Sequence, residues 1–111
     1  MHSEILIPPE NCNNKEEVRS QIDKIDKEII RMFAKRFEYV NAIVKFKKDT
    51  ESIIAQERKD EVILKRGLWA EEFGLDKKTF ETIYNCLIDS NIQKELEMME
   101  KGSSSHSEHT T

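Results

Sequence analysis

Turn-forming residues are scarce in this 111-residue chain. It has three glycines, Gly67, Gly74 and Gly102, and two prolines, Pro8 and Pro9. A β-rich fold needs more of them, so the expectation is an all-α protein. Histidine is equally sparse, with His2, His106 and His109 all near the ends. A histidine general base, a Ser-His triad or a His-rich metal site would have to recruit a residue from outside the body of the fold. Any catalysis here has to work without imidazole. The two cysteines, Cys12 and Cys86, have no metal-ligand spacing. No apolar run approaches the ~20 residues that span a bilayer. The N-terminus shows no basic segment followed by an apolar core, so reduced thiols in a cytoplasmic protein are expected. The net charge of −4 lacks the basic excess of a nucleic-acid footprint.

What is present is helical patterning. Apolar residues make up 37% of the chain and charged residues 36%, a balance that suits helices with one apolar stripe each. From Asn14 to Lys48 there is neither glycine nor proline. Val18, Ile22, Ile25, Ile29, Met32, Tyr39, Val40, Ile43 and Phe46 follow alternating steps of three and four. Between Met32 and Tyr39 the step lands on Arg36 instead of a hydrophobe. A guanidinium cannot lose its proton, so in a packed seam it needs an anion. Glu28 and Glu38 point elsewhere on the helix, which leaves a ligand carboxylate as a good candidate.

Residues 1–13 read as an extended arm and residues 14–101 as one helical domain. Asn14 is placed to cap helix one, with Glu16 and Glu17 favourable in its first turn. That helix is expected to run to about Asp49, roughly 50 Å. It can hardly bury its stripe within one small monomer, so it should pack against a copy of itself. A polar loop over 49–54 leads to helix two, from about Ala55 to about Phe73. Gly67 inside it costs about 1 kcal/mol relative to alanine and marks close packing. Gly74 followed by Leu75 resembles a left-handed C-terminal cap. Asp76 then caps helix three, with Phe80, Ile83, Tyr84, Leu87, Ile88, Ile92, Leu96 and Met99 on its stripe, to about Glu100. Residues 102–111, rich in serine, read as a disordered tail.

Further polar residues stand on or beside the apolar faces. Lys47 lies eleven residues after Arg36, which on an ideal helix is about 20° of rotation and about 16 Å of rise. Arg19 lies about 25 Å from Arg36 along the same axis and about 100° around it. One small ligand could touch both only if an antiparallel partner helix brought Arg19 of a second chain beside Arg36. The ordinary alternative is that Arg19 and Lys47 are solvated charges flanking Val18 and Phe46. Glu95 shares the face of Tyr84 and Ile88 on helix three, where a carboxyl group donates a hydrogen bond only if protonated. Its ordinary alternative is a helix-end glutamate reaching water. Cys86 reads as a small buried hydrophobe, and Trp69 as a core or interface residue.

The run Val18-Arg19-Ser20-Gln21-Ile22-Asp23-Lys24-Ile25-Asp26, followed by Arg36 in K-R-F-E-Y-V and Lys47 in K-F-K, resembles the all-helical chorismate mutase family. The likeness covers roughly residues 16–99. Within that family the chain is most similar to the isochorismate pyruvate lyases, on Arg36-Phe37-Glu38-Tyr39-Val40, Ala55-Gln56-Glu57-Arg58 and Trp69-Ala70-Glu71-Glu72-Phe73-Gly74-Leu75-Asp76. The resemblance implies three helices in an intertwined homodimer with two shared sites. It implies Arg19 from the partner and Arg36 as holders of the two substrate carboxylates. Lys47 would reach a carboxylate and the ether oxygen whose bond breaks. Glu95 would stand where the family usually has a glutamine donor to that oxygen, and Glu57 where the mutases contact the ring hydroxyl.

The departures have a direction. Many mutases carry an arginine immediately before that glutamate, where this chain has Gln56, and an aspartate near Ser52 to Ile54. Their loss leans toward the lyase. Glu95 in place of glutamine departs from the lyases. Both reactions implied are pericyclic, isochorismate to salicylate and pyruvate or chorismate to prephenate. They need no nucleophile, metal or cofactor, only a dianion held in a compact conformer and cations where charge grows on the ether oxygen. The expected partner is therefore a small dicarboxylate, not nucleic acid or membrane. The alternative from another class is a helical dimerisation module in which Arg36 sets register.

Overall fold

The computed structural model describes residues 5–47 and 49–110. After a 3₁₀ turn at Pro9–Asn11 come α1 (Lys15–Val44), α2 (Thr50–Ile54), α3 (Gln56–Glu72) and α4 (Lys77–Thr110). Among the described residues there is no strand. The expected helices one, two and three are α1, α3 and α4. The chain divides into two compact units, Met1–Tyr39 and Val40–Thr111.

In the first unit Asn14 caps α1 as expected: its Oδ1 accepts the Glu17 N–H at 2.8 Å. Glu17 reaches back in turn, its Oε1 accepting the Asn13 N–H at 2.7 Å, a reciprocal arrangement that satisfies two orphan donors. The preceding arm is less extended than the sequence implies. It turns at Pro9–Asn11, and the Ile7 N–H donates to Gln21 Oε1 at 2.9 Å. Gln21 is thereby the buried residue of α1. The apolar stripe itself stays open, with Val18, Ile22, Ile25, Ile29 and Met32 each between 42% and 49% exposed.

α1 ends at Val44, short of Asp49. The Phe46 N–H bonds to Ile43 O and the Lys47 N–H to Val44 O, each at 3.0 Å, the tighter step that closes a helix end. The reason lies just downstream. Asp49 takes extended backbone, φ −151°, and its Oδ1 accepts the Ser52 N–H at 2.8 Å. A short acidic side chain that caps a new helix cannot also continue the old one. Residues 49–54 are therefore not a polar loop: they cap and form α2. Ile53, 1% exposed, anchors α2 on α4, a burial that stabilises by about 1.5–3 kcal/mol. Ala55, in the left-handed region at φ +35°, ends α2 and precedes α3.

α3 packs along α4. Gly67 lies where a Cβ would meet Glu81 Cγ at 2.9 Å and Lys77 Cγ at 3.0 Å, so its missing side chain sets the approach. Val62 and Ala70 are buried in this contact-bearing helix. α3 ends in a Schellman motif: Leu75 N–H to Ala70 O at 2.8 Å, Gly74 N–H to Glu71 O at 3.0 Å, with Gly74 at φ +76°. Asp76 then caps α4, accepting from the Thr79 N–H at 2.9 Å and its hydroxyl at 2.7 Å. The Thr79 side chain, then its backbone N–H, hold the Asp76 carboxyl below the usual aspartate value. The Ser52 backbone N–H, then its side chain, do the same for Asp49. α4 continues beyond Glu100 through Thr110. Gly102 by itself costs a helix only about 1 kcal/mol, and no proline follows. Among the described residues no helix is long and apolar enough to cross a membrane.

Candidate active site

Two of the residues singled out by sequence meet in the second unit. Lys47 Nζ donates to Glu95 Oε1 at 3.0 Å. The Glu95 side chain is 4% exposed and that of Lys47 21%, so the carboxylate is inside and the ammonium is at the edge. The turn after α1 supplies the lysine, and the inward face of α4 supplies the acid. Because α1 stops at Val44, Lys47 is not on that helix, and an ideal-helix register does not position it. Glu95 does. An ammonium has three donors, and Glu95 takes one. The others are available to oxygens of a bound anion.

The remaining residues are placed as follows. Glu57 is exposed in the first turn of α3, and the preceding Gln56 donates to Asp60 Oδ1 at 2.8 Å. In the first unit Arg36 is half-buried on α1. Arg19 is exposed there, with a loose contact to Glu16 at 3.5 Å. The expectation for Cys86 is corrected, since it is exposed and Cys12 is half-buried, both as free thiols. Trp69 is half exposed, and Arg66 stacks over its ring at 4.5 Å. His2 and the side chains of His106 and His109 lie outside the described residues. Among the described residues no three His, Cys, Asp or Glu side chains converge as a metal site would require.

One buried polar residue escapes the spacing argument. Asn91 is 8% exposed. It lies seven residues after Tyr84 and four before Glu95, on the same stripe of α4. The periodicity that singles out Glu95 applies to it equally, although an asparagine is more often exposed than buried.

The sequence model of the family described as chorismate mutase type II matches residues 18–96, a span that contains Arg19, Arg36, Lys47, Glu57 and Glu95. The chain is 34% identical over 88 residues to an isochorismate pyruvate lyase of Pseudomonas aeruginosa, covering 79% of this chain and 87% of that one. It is 37% identical over 68 residues to a T-protein of Haemophilus influenzae, covering 60% of this chain but 18% of that longer protein. An all-helical chain matched by that model over residues 18–96 belongs to the chorismate mutase type II family of enzymes.

Proposed function

We propose that the protein catalyses a pericyclic reaction of isochorismate, yielding salicylate and pyruvate, with rearrangement of chorismate to prephenate as a second or coexisting activity. In the lyase reaction the ether C–O bond breaks while the hydrogen on the hydroxyl-bearing ring carbon passes to the methylene end of the enolpyruvyl group. In the mutase reaction the same bond breaks while that methylene forms a C–C bond to the ring. In both, negative charge grows on the ether oxygen. A point-charge donor held in a partly buried setting stabilises that charge more than water does.

The observation that carries the reading is the Lys47–Glu95 contact, a cation presented to the site by a buried acid. Lys47 donates to the ether oxygen and a substrate carboxylate. Arg36 and Arg19 of a second copy hold the carboxylates through paired N–H bonds, and Glu57 approaches the ring hydroxyl. The second copy enters because the α1 stripe is open along its length. An exposed apolar seam on so long a helix is best covered by another chain, which supports an intertwined homodimer with shared sites. The likeness to a lyase and the absence of an arginine before Glu57 support the lyase. The mutase proper is supported by the description of the matching family.

The test is a side-by-side assay of the purified protein on chorismate and isochorismate, following prephenate and salicylate. Salicylate is expected to dominate and would assign the protein to salicylate formation. Prephenate alone would assign it to aromatic amino-acid synthesis. A folded dimer forming neither product, and not raised in Tm by a dicarboxylate analogue, would be a helical dimerisation module.

A further inference from the structure

The segment preceding α1 does not trail away from it. Gln21, 8% exposed, accepts the Ile7 N–H at 2.9 Å, and Glu17 accepts the Asn13 N–H at 2.7 Å. The 3₁₀ turn at Pro9–Asn11 lies between these two ties, so residues 7–13 fold back along the first two turns of their own helix. The tie at Ile7 uses the main chain and leaves the side chain free. Ile5, Leu6, Ile7 and Pro8 are all exposed, an apolar run held at the surface by polar ties beneath it.

Further along the same helix Tyr39 is 71% exposed. It stands three residues after Arg36, and Gln21 stands fifteen before it. On an ideal helix both are displaced about 60° from Arg36, to the same side. The arm at Gln21 and the ring of Tyr39 therefore share one edge of the α1 seam. The homodimer proposed above, on which this inference rests, brings Arg19 of one copy beside Arg36 of the other on antiparallel α1 helices. That register sets residues 16–21 of one copy along residues 34–39 of the other. A two-fold axis across the seam makes like edges meet. A helical side chain leans toward its own N-terminus, which inclines Tyr39 toward Arg36 and toward the level of the arm. We infer that the arm is a strap acting in trans: Ile7 and Pro8 of one copy cover Tyr39 of the other. The strap closes the edge of the shared site where Arg19 and Arg36 hold the carboxylates. Water kept from that edge strengthens both arginine–carboxylate contacts.

The test is photo-cross-linking in the full chain, with p-benzoylphenylalanine in place of Tyr39. Irradiation is expected to give a band of dimer size on a denaturing gel, with the cross-link within residues 5–8 of the partner. Cross-links confined to single chains, or made to another segment of the partner, overturn the inference. This readout needs no turnover. A protein inert on both substrates that gives the cross-link loses the proposed function and keeps the strap, whereas a monomer loses the shared site and the strap together. The effect on the site is read in mixed dimers, on the substrate that the wild type turns over. Ile7→Ser keeps the main-chain tie to Gln21 and is expected to raise KM about fivefold, with kcat within about twofold. A dimer of one Ile7→Ser chain and one Lys47→Ala chain, purified through two different tags, has a single competent site. Its Lys47 belongs to the Ile7→Ser chain and its strap to the other, so wild-type KM is expected there. A KM still raised in the mixed dimer puts the arm on its own chain's site and overturns the inference, as does an unchanged KM in the Ile7→Ser homodimer.

Discussion

Two lysines reach α4, and they do so on different terms. Lys59, on α3, meets Asp89 Oδ1 at 2.6 Å, and Lys47 meets Glu95 Oε1 at 3.0 Å. Distance alone would rank the first contact higher. Burial reverses the order, because the Asp89 side chain is 55% exposed whereas that of Glu95 is 4% exposed. Asp89 has water to fall back on if its lysine leaves. Glu95 does not, and an uncompensated buried charge is far costlier than a broken surface pair. A contact of the second kind is weak as a structural brace and well suited to presenting a cation, which supports the role proposed for Lys47.

The largest effect should come from Lys47→Ala. Turnover of either substrate is expected to fall about a hundredfold or more, the scale for losing one donor to a developing oxyanion. The same change should cost on the order of 3 kcal/mol in a denaturant melt, because Glu95 is left unpaired. Adding Glu95→Gln to it should recover most of the stability and none of the activity. Recovery of activity in the double variant would show that Lys47 acts only as a brace.

Glu95→Gln alone sharpens the contrast in another way. A glutamine keeps an acceptor for Lys47 and offers an N–H to the ether oxygen at any pH, whereas a glutamate offers an O–H only when protonated. Glu95→Gln should therefore raise kcat. A kcat no higher than wild type, in a variant of unchanged Tm, would remove position 95 as a donor. Lys59→Ala should be much milder, within about 1 kcal/mol in stability and without effect on kcat.

The smallest effect concerns the caps. Asp49 and Asp76 have carboxyls held below their ordinary value by Ser52 and Thr79. Such groups bind protons more weakly folded than unfolded, so their contribution is present above the unfolded aspartate value and is lost as pH falls through the folded one. Acid should therefore lower Tm below about pH 4. Asp76→Asn, which still caps, should reduce that acid slope while leaving Tm near pH 7 almost unchanged.

Much of this was legible in the residues. The caps at Asn14, Gly74 and Asp76, the close approach at Gly67 and the inward face of Glu95 are local or periodic features, and local physics suffices for them. The end of α1 was not. Phe46 and Lys47 continue the helical period without fault, and only the competing cap at Asp49 stops the helix. Asp49 can serve in either role, and in the fold it takes the cap, with Ile53 of the new helix buried. The pairing of Lys47 with Glu95 spans 48 positions, beyond the reach of any spacing rule. The burial of Asn91 is legible in its period but not in its residue type, since an amide is ordinary on a solvated helix face.

Ala55 closes α2 and opens α3 on a single left-handed residue, and that economy limits how this protein can change length. One residue inserted at that joint would turn α2 about 100° relative to α3 and carry Ile53 out of its burial site. The joint between α2 and α3 is therefore a place where the chain cannot gain a residue without losing the burial of Ile53.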